Sequence, residues 1–501
     1  MRTVFLLFDS LNRKALECYG GSCNTPNFTR LAERGVTFEK HNVGSLPCMP
    51  ARRDLQTGRL NFLHRSWGPL EPFDVSFAEV LRAHGTYTHL ISDHYHYWSD
   101  GGATYHNRFD TWDFVRGQAW DPWRALVDPP TGMAEKYHPM QQSRHQGMVN
   151  REFMASESDY SISGCFDRAL AFLDTNRGAD NWFLQLECFD PHEPFKAPDR
   201  FKALYPTDYD GPILDWPHYE RVTESEVEIA ELRANYAALV SMCDWYLGQL
   251  LDYFDAHDLW KDTALVVTTD HGFLLGEHDW WAKSRMPFYD EVSHIPLIAY
   301  HPDFANQGGA RRRSLSQTID LMPTFLAFHG APVPETVEGA SLIPVLRDDE
   351  PVRSAAVFGR FAAATNVTDG RYTYIRYPED LAAQELWEYT LMPTRQKGLF
   401  EAAEFDGATL ERPFEFLRGY PVMRLPFGQV PFKGQGARLE DTQTVLYDLE
   451  TDPGQTTPIT DPETEARLVS EMVGIMHRNE APPEAYRRLG LDVPAMGSGE
   501  R

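Results

Sequence analysis

Hydrophobic and polar positions fall into two textures along this chain. Through the first two-thirds, short apolar runs alternate with amphipathic stretches, the pattern of a mainly parallel sheet flanked by helices. Four runs stand out: Thr3–Phe8, Thr88–Ile91, Trp182–Cys188 and Ala264–Thr269. Each reads as a buried strand, and each is followed at once by polar residues able to do chemistry. Between the third and fourth, Leu232, Tyr236, Leu239, Val240, Cys243, Leu247, Leu250, Leu251 and Phe254 recur at steps of three and four, which predicts one long helix over 225–256. The run Asp320-Leu321-Met322-Pro323-Thr324-Phe325-Leu326 predicts a second helix, Ile319–Phe328. After Pro344 the texture changes. Alternating, aromatic-rich segments such as Tyr372–Tyr377 and Thr444–Leu449 suit a small antiparallel sheet packed by one or two helices. The stretch 380–440 has no clear period, and the tail from Met496 onward is expected to fray. The expected architecture is an α/β fold with a large mixed, mainly parallel sheet sandwiched by helices over residues 1–350. A smaller α+β subdomain is expected over 351–501.

Charge narrows the class of partner. The chain has 47 Lys and Arg against 73 Asp and Glu, a formal net charge of −26. Nucleic acid is therefore not an expected partner, because phosphate binding needs a basic footprint. A small anionic substrate is compatible, since a metal and a few cations can reverse the field inside one pocket. The apolar run Val4–Phe8 is too short for a signal-peptide core, and no later stretch approaches a membrane span. Six cysteines in 501 residues make no disulfide framework, and Cys18 and Cys23 lack the companions of a zinc site. A cytoplasmic, non-membrane protein is expected.

In open α/β sheets, ligands bind outside the carboxyl ends of the strands. The residues just past those ends are Asp9, Asp93-His94, Asp190-Pro191-His192 and Asp270-His271-Gly272. One such carboxylate is usually a helix cap. Four strand ends carrying Asp or His in one sheet point to a shared site, and a set of Asp, Asp and His suits one divalent cation. The other notable stretch runs from Cys48-Met49-Pro50-Ala51-Arg52 to Leu55-Gln56-Thr57-Gly58-Arg59. Pro50 fits the first turn of a helix, which sets Cys48 at the positive N-terminal end, where an anion and an activated nucleophile both gain.

Cys48-Met49-Pro50-Ala51-Arg52 matches C-x-P-x-R, the signature of type I, formylglycine-dependent sulfatases of the alkaline phosphatase superfamily, and Leu55–Arg59 resembles its usual continuation. The resemblance extends to Thr25-Pro26-Asn27-Phe28-Thr29-Arg30-Leu31-Ala32, to Asp270-His271-Gly272-Phe273-Leu274-Leu275-Gly276-Glu277-His278, and to Asp320–Phe325. It continues through Gly339-Ala340-Ser341-Leu342 and, more loosely, Leu446–Pro453, so it spans most of the chain in order. It implies an alkaline phosphatase-like fold and an arylsulfatase-like hydrolase of small-molecule sulfate esters. It also implies a formylglycine made from Cys48 by a separate generating enzyme. Asp9, Asp270 and His271 are implied as metal ligands, joined by the oxygen of modified residue 48. Arg52 would hold the formylglycine hydrate, His192 would act near the leaving group, and Lys283 would contact the sulfate.

Two departures from that pattern stand out. Many sulfatases have two successive Asp after the first strand, where this chain has Asp9-Ser10. One carboxylate fewer, plus an imidazole, shifts the expectation from Ca2+ toward Mn2+. The G-K-W-H of the family corresponds here to Ser92-Asp93-His94-Tyr95-His96, so its lysine is absent and either His94 or His96 takes the place of its histidine in binding substrate. Loss of that lysine thins the positive charge near the anion, so phosphate monoesters, which carry up to two charges, are expected to be the poorest substrates. The rival reading is a phosphonate monoester or phosphodiester hydrolase, which resembles sulfatases in fold, modification and metal site. A two-zinc, phosphatase-like site is disfavoured because Asp190 and His192 lie too close together for an Asp-x-x-x-His pair. A catalytically silent binder of sulfated ligands is disfavoured by the intact Cys48, Arg52, Asp9, Asp270 and His271. Subunit contacts of a possible homo-oligomer are expected in 380–440 and in the C-terminal tail.

Overall fold

The computed structural model describes residues 1–142, 144–284, 287–381, 383–428 and 442–494. The expected fraying from Met496 lies outside the described residues.

Its centre is a nine-stranded mixed sheet. We label its strands β1 (Arg2–Phe8), β2 (Val36–Asn42), β3 (Tyr87–Ser92), β4 (Thr111–Phe114), β5 (Trp182–Cys188), β6 (Thr263–Thr269), β7 (His294–Tyr300), β8 (Arg311–Arg312) and β9 (Ser316–Gln317). The spatial order is β8-β2-β7-β6-β1-β5-β3-β4, with β9 also on β2. The inner run β6-β1-β5-β3-β4 is parallel throughout, and only β7 runs antiparallel to its neighbours.

The four strands expected from the apolar runs are β1, β3, β5 and β6, each within a residue or two of its expected limits. Their side chains alternate between two cores. In β1, Val4, Leu6 and Phe8 enter one hydrophobic cluster, while Phe5 and Leu7 enter the other. That is why the run reads as continuously apolar: both faces are covered by helices. The first cluster packs under the helices Ser161–Thr175 and Glu226–Ala256, the latter being the long helix expected over 225–256. The opposite cluster packs under Cys48–Thr57 and Leu321–Phe328. The second expected helix is thus present as Leu321–Phe328, led in by a 3-10 turn, Thr318–Asp320, that takes up its first two expected residues.

Beyond Ala355 a four-stranded antiparallel sheet forms from Ala356–Gly359, Thr365–Thr368, Tyr372–Arg376 and Val445–Asp448, with the helix Pro462–Arg478 against it. The region without periodicity, 380–440, holds short paired strands, among them Trp387–Thr390 with Val422–Pro426, and Thr394–Arg395 with Gly398–Leu399. Such brief strands carry too few residues to show a period. No helix among the described residues is long and apolar enough to cross a membrane.

Candidate active site

Strand register brings the acids together. β1 lies between β5 and β6, with Phe8 level with both Cys188 and Thr269. The next residues, Asp9 and Asp270, therefore leave the sheet side by side. Ser10 has a left-handed φ of 63° and directs its backbone N–H to Asp270 Oδ1 at 3.1 Å and its hydroxyl to Asp9 Oδ1 at 2.7 Å. Tyr236 on the long helix fixes this turn, accepting from Asn12 N–H and donating to the Ser10 carbonyl, both at 2.8 Å. Gly272 must be glycine, because a Cβ there would lie 1.9 Å from the Glu291 carbonyl oxygen.

Cys48 opens the helix Cys48–Thr57, all of whose residues are buried, and Gly58 closes it with a left-handed φ of 65°. Helix geometry returns Arg52 to the same face one turn later, where Nη1 donates to the Cys48 carbonyl at 3.1 Å. From there the guanidinium reaches three carboxylates: Glu187 at 2.6 Å, Asp9 at 2.9 Å, and Asp270. Lys283 Nζ donates to Ser10 Oγ at 2.7 Å and stands 3.7 Å from both Asp9 and Glu193.

Six buried ionisable groups thus form one connected network, in which the carboxylates of Asp9, Glu187, Glu193 and Asp270 meet the permanent cations Arg52 and Lys283, with the imidazoles of His192 and His271, whose pKa values burial lowers, beside Glu193 and Asp270. Four negative charges against two positive leave a formal excess of two, the deficit that one divalent cation corrects. The donors for such an ion are in place. One atom each from Asp9, Cys48, Asp270 and His271 lie within 4.8 Å of one another. The His271 Nδ1–H is directed at the Gly272 carbonyl (3.0 Å), which leaves the Nε2 lone pair facing Cys48 Sγ at 3.2 Å. These residues fit a metal.

The electrostatics follow the same geometry. Burial alone would raise the pKa of Asp9, but Arg52 and Lys283 override it and hold the carboxyl well below its usual range. Burial would strip the proton from Lys283, yet the surrounding anions keep its pKa above the ordinary lysine value. Glu187 is pushed up by burial, which Arg52 only partly offsets. Burial, reinforced by Asp9, raises Cys48 well above the usual thiol value, so the unmodified side chain is a neutral, poor nucleophile.

Above the network opens a cleft of about 570 Å³ that exposes Cys48, His96, His192 and Lys283. His192 directs Nδ1 to the Glu193 carbonyl at 2.7 Å, and burial lowers its pKa from 6.5 despite the Glu193 carboxylate. Of the two histidines left open by the sequence, His96 lines the cleft. His94 does not: it is fully buried against Phe189 and Tyr97, with neither ring nitrogen hydrogen-bonded among the described residues. Two strand-end acids have structural partners instead, Asp93 with Ser161 and the Phe189 N–H, and Asp190 with Gln118.

Three features lay beyond the sequence reading. Glu187 is the first, although a charged residue inside the apolar run Trp182–Cys188 was a usable signal. Glu193 is the second, hidden beside the more conspicuous His192. The third is that Arg360, together with Arg395, Lys397 and Phe427 from the 380–440 stretch expected to make subunit contacts, lines the cleft. The cleft therefore carries cations that a reading based on the missing lysine alone does not include.

A metal-competent acid cluster thus sits at the carboxyl edge of a mixed sheet, beside the first residue of a helix that opens on the cleft. A family model described as Sulfatase matches residues 2–331, and one described as N-sulphoglucosamine sulphohydrolase, C-terminal, matches residues 276–411. The chain belongs to the sulfatase family and is a hydrolase acting on sulfate esters. It is 29% identical over 376 residues to a multifunctional alkaline phosphatase superfamily protein, PehA, of Trinickia caryophylli, covering 65% of this chain and 72% of that one. It is 25% identical over 474 residues to an N-acetylglucosamine-6-O-sulfatase of Bacteroides thetaiotaomicron, covering 80% and 83%. Among solved structures, a protein in complex with its substrate D-glucosamine-2-N,6-O-disulfate superposes with a TM-score of 0.67 at 17% identity, over 97% of this chain and 99% of that one. A phosphonate monoester hydrolase from Silicibacter pomeroyi superposes with a TM-score of 0.63 at 21% identity, over 95% of each.

Proposed function

We propose that this protein cleaves a small-molecule sulfate ester with a formylglycine formed from Cys48 and one divalent ion held by Asp9, Asp270, His271 and the oxygen of modified residue 48. The observation that carries this reading is the buried network around Cys48, which is short of two positive charges and meets the cleft at a helix N-terminus. When present, the hydrated aldehyde would supply an oxygen nucleophile and the ion would supply charge neutralisation. The chain's own groups do the rest. Arg52 locks Asp9 and Asp270 in register beneath residue 48. Lys283 keeps its charge in the burial of the site and offers it to the ester's oxygens. The His192 Nδ1–H is committed to the Glu193 carbonyl, so Nε2 is the atom that takes or returns a proton at the cleft. His96 lines the same wall and contacts substrate.

With Ser10 in place of a second acid, and its hydroxyl already given to Asp9, two carboxylates and an imidazole favour Mn2+ over Ca2+. The reading includes maturation by a formylglycine-generating enzyme and residence in the cytoplasm, in keeping with six free cysteines. The test is co-expression with a generating enzyme, followed by peptide mass spectrometry and an aldehyde-reactive probe. An aldehyde at position 48 that rises in step with aryl sulfatase activity is expected, and fully active protein carrying only Cys48 refutes the mechanism. A second reading, hydrolysis of phosphonate monoesters or phosphodiesters, is favoured by the likeness to a phosphonate monoester hydrolase. It prevails if such an ester exceeds the matched aryl sulfate in kcat/KM by about tenfold, or 1.4 kcal/mol.

A further inference from the structure

The cleft is cationic in a molecule that is otherwise acidic. Its lining includes Arg65, Arg144, Lys283, Arg360, Arg395 and Lys397 and, among the described residues, no Asp or Glu, although the chain has 73 acids to 47 bases. Three of these cations are neutralised within the protein: Arg65 by Glu71, Lys283 by Asp9 and Glu193, and Arg395 by Glu404 and Glu388. Arg144, Arg360 and Lys397 have no carboxylate partner among the described residues.

Two of those three converge on one side chain. Lys397 Nζ lies 3.9 Å from the centroid of the Trp120 ring, and the Arg144 guanidinium carbon lies 4.8 Å from it. The two cations come from distant parts of the chain. Arg144 precedes the helix His145–Arg151, and Lys397 sits in the turn joining the short strands Thr394–Arg395 and Gly398–Leu399. Partial burial of its stem against Trp120, and then the like charge of Arg144, lower the otherwise exposed Lys397 to about 8. Holding two like charges against one indole, with no anion between them among the described residues, costs free energy that a bound oxyanion returns. Arg360 is separate from this pair. It donates to the Ser284 carbonyl, next to Lys283, and so belongs with the end of the cleft where the ester is cleaved.

We infer that Arg144 and Lys397, over Trp120, form a second anion site, and that the substrate is a sulfate ester whose alcohol half carries another oxyanion, a sulfate or a carboxylate. The inference rests on the reading of the Cys48 end as the place of cleavage. The sulfate to be cleaved then meets Lys283 and Arg360 and the second oxyanion meets Arg144 and Lys397, which selects dianionic substrates against those with a neutral or cationic alcohol half.

Non-hydrolysable sulfonates test this apart from turnover. Calorimetric titration of the full chain with benzenesulfonate, benzene-1,3-disulfonate and 3-sulfobenzoate is expected to show at least one dianion binding about tenfold tighter than the monoanion, about the scale of one charge-assisted contact. Preference for the disulfonate assigns the second group as sulfate, and preference for the sulfobenzoate assigns it as carboxylate. In the Arg144→Gln/Lys397→Gln double variant, whose changed side chains are exposed, the dianion-to-monoanion ratio should fall to within about twofold. Equal affinity for monoanion and dianions in the native protein, no measurable binding of any, or a ratio that survives the double substitution each overturns the second site. Because sulfonates are not cleaved, an intact ratio with no turnover of any sulfate ester, mono- or dianionic, by formylglycine-bearing protein would sink only the sulfatase mechanism.

Discussion

Replacement of Glu187 by Gln probes the charge count of the buried network most directly. Glu187 accepts from Arg52 Nε at 2.6 Å, Tyr97 OH at 2.9 Å and Gln185 Nε2 at 3.0 Å. An amide keeps one acceptor for Arg52 but turns an N–H2 toward the Gln185 donor. Arg52 retains Asp9 and Asp270, so the loss falls short of the 3–5 kcal/mol of a fully broken buried pair, and we expect about 1–3 kcal/mol of destabilisation. The network falls from two excess negative charges to one, so divalent-ion affinity should drop by about 10–100-fold, the scale seen when groups supporting metal ligands are replaced. Calorimetric titration of Mn2+ into metal-free protein, with urea unfolding alongside, measures both. The pH dependence has a definite sign. Burial places the Glu187 pKa above its ordinary 4.5, so the folded state favours the protonated acid. Its ionisation therefore costs the metal-free protein stability as pH rises from 4.5 toward the raised value, and metal affinity grows over the same window. Glu187→Gln should flatten both slopes. Unchanged ion affinity together with unchanged stability would show that Glu187 is already neutral in the native protein and that the charge count is wrong.

Two further substitutions separate site from scaffold. Asp270→Asn keeps an oxygen for the Ser10 and His271 N–H groups but removes a ligand charge, so bound metal and esterase activity should disappear together while the circular dichroism spectrum is retained; metal content equal to the native protein would refute the ligand set. Asp54, two residues beyond Arg52, accepts from Ser45 N and Oγ and from Asn61 N and Nδ2, and burial raises its pKa to about 7. Asp54→Ala strands those buried donors and should cost about 3–5 kcal/mol in urea unfolding, whereas a loss under about 1 kcal/mol would show that Ser45 and Asn61 find other partners.

The sequence by itself settled what short-range physics encodes. Apolar runs covered on both faces announce β1, β5 and β6, and a three-to-four period announces the helix Glu226–Ala256, because burial imposes those spacings locally. Asp9, Cys48, Arg52, Asp270 and His271 were legible for a related reason: each sits at a strand end or helix start, and each lies in a motif in which neighbours are fixed by backbone geometry. What needed the tertiary structure was every relation across sequence distance. The approach of Glu187 to Arg52 depends on which face of β5 lies under the helix Cys48–Thr57. The choice of His96 over His94 depends on how a 3-10 turn, Tyr95–Trp98, rotates past Phe189. The pairing of Arg144 and Lys397 on Trp120 depends on the turn between two short strands in 380–440, Thr394–Arg395 and Gly398–Leu399. Those strands hold too few residues for a pattern, and charges that meet only after folding leave no spacing to read. Sequence determined the strand ends and the start of the helix at Cys48; only the folded chain decided what surrounds them and how much charge the cleft carries.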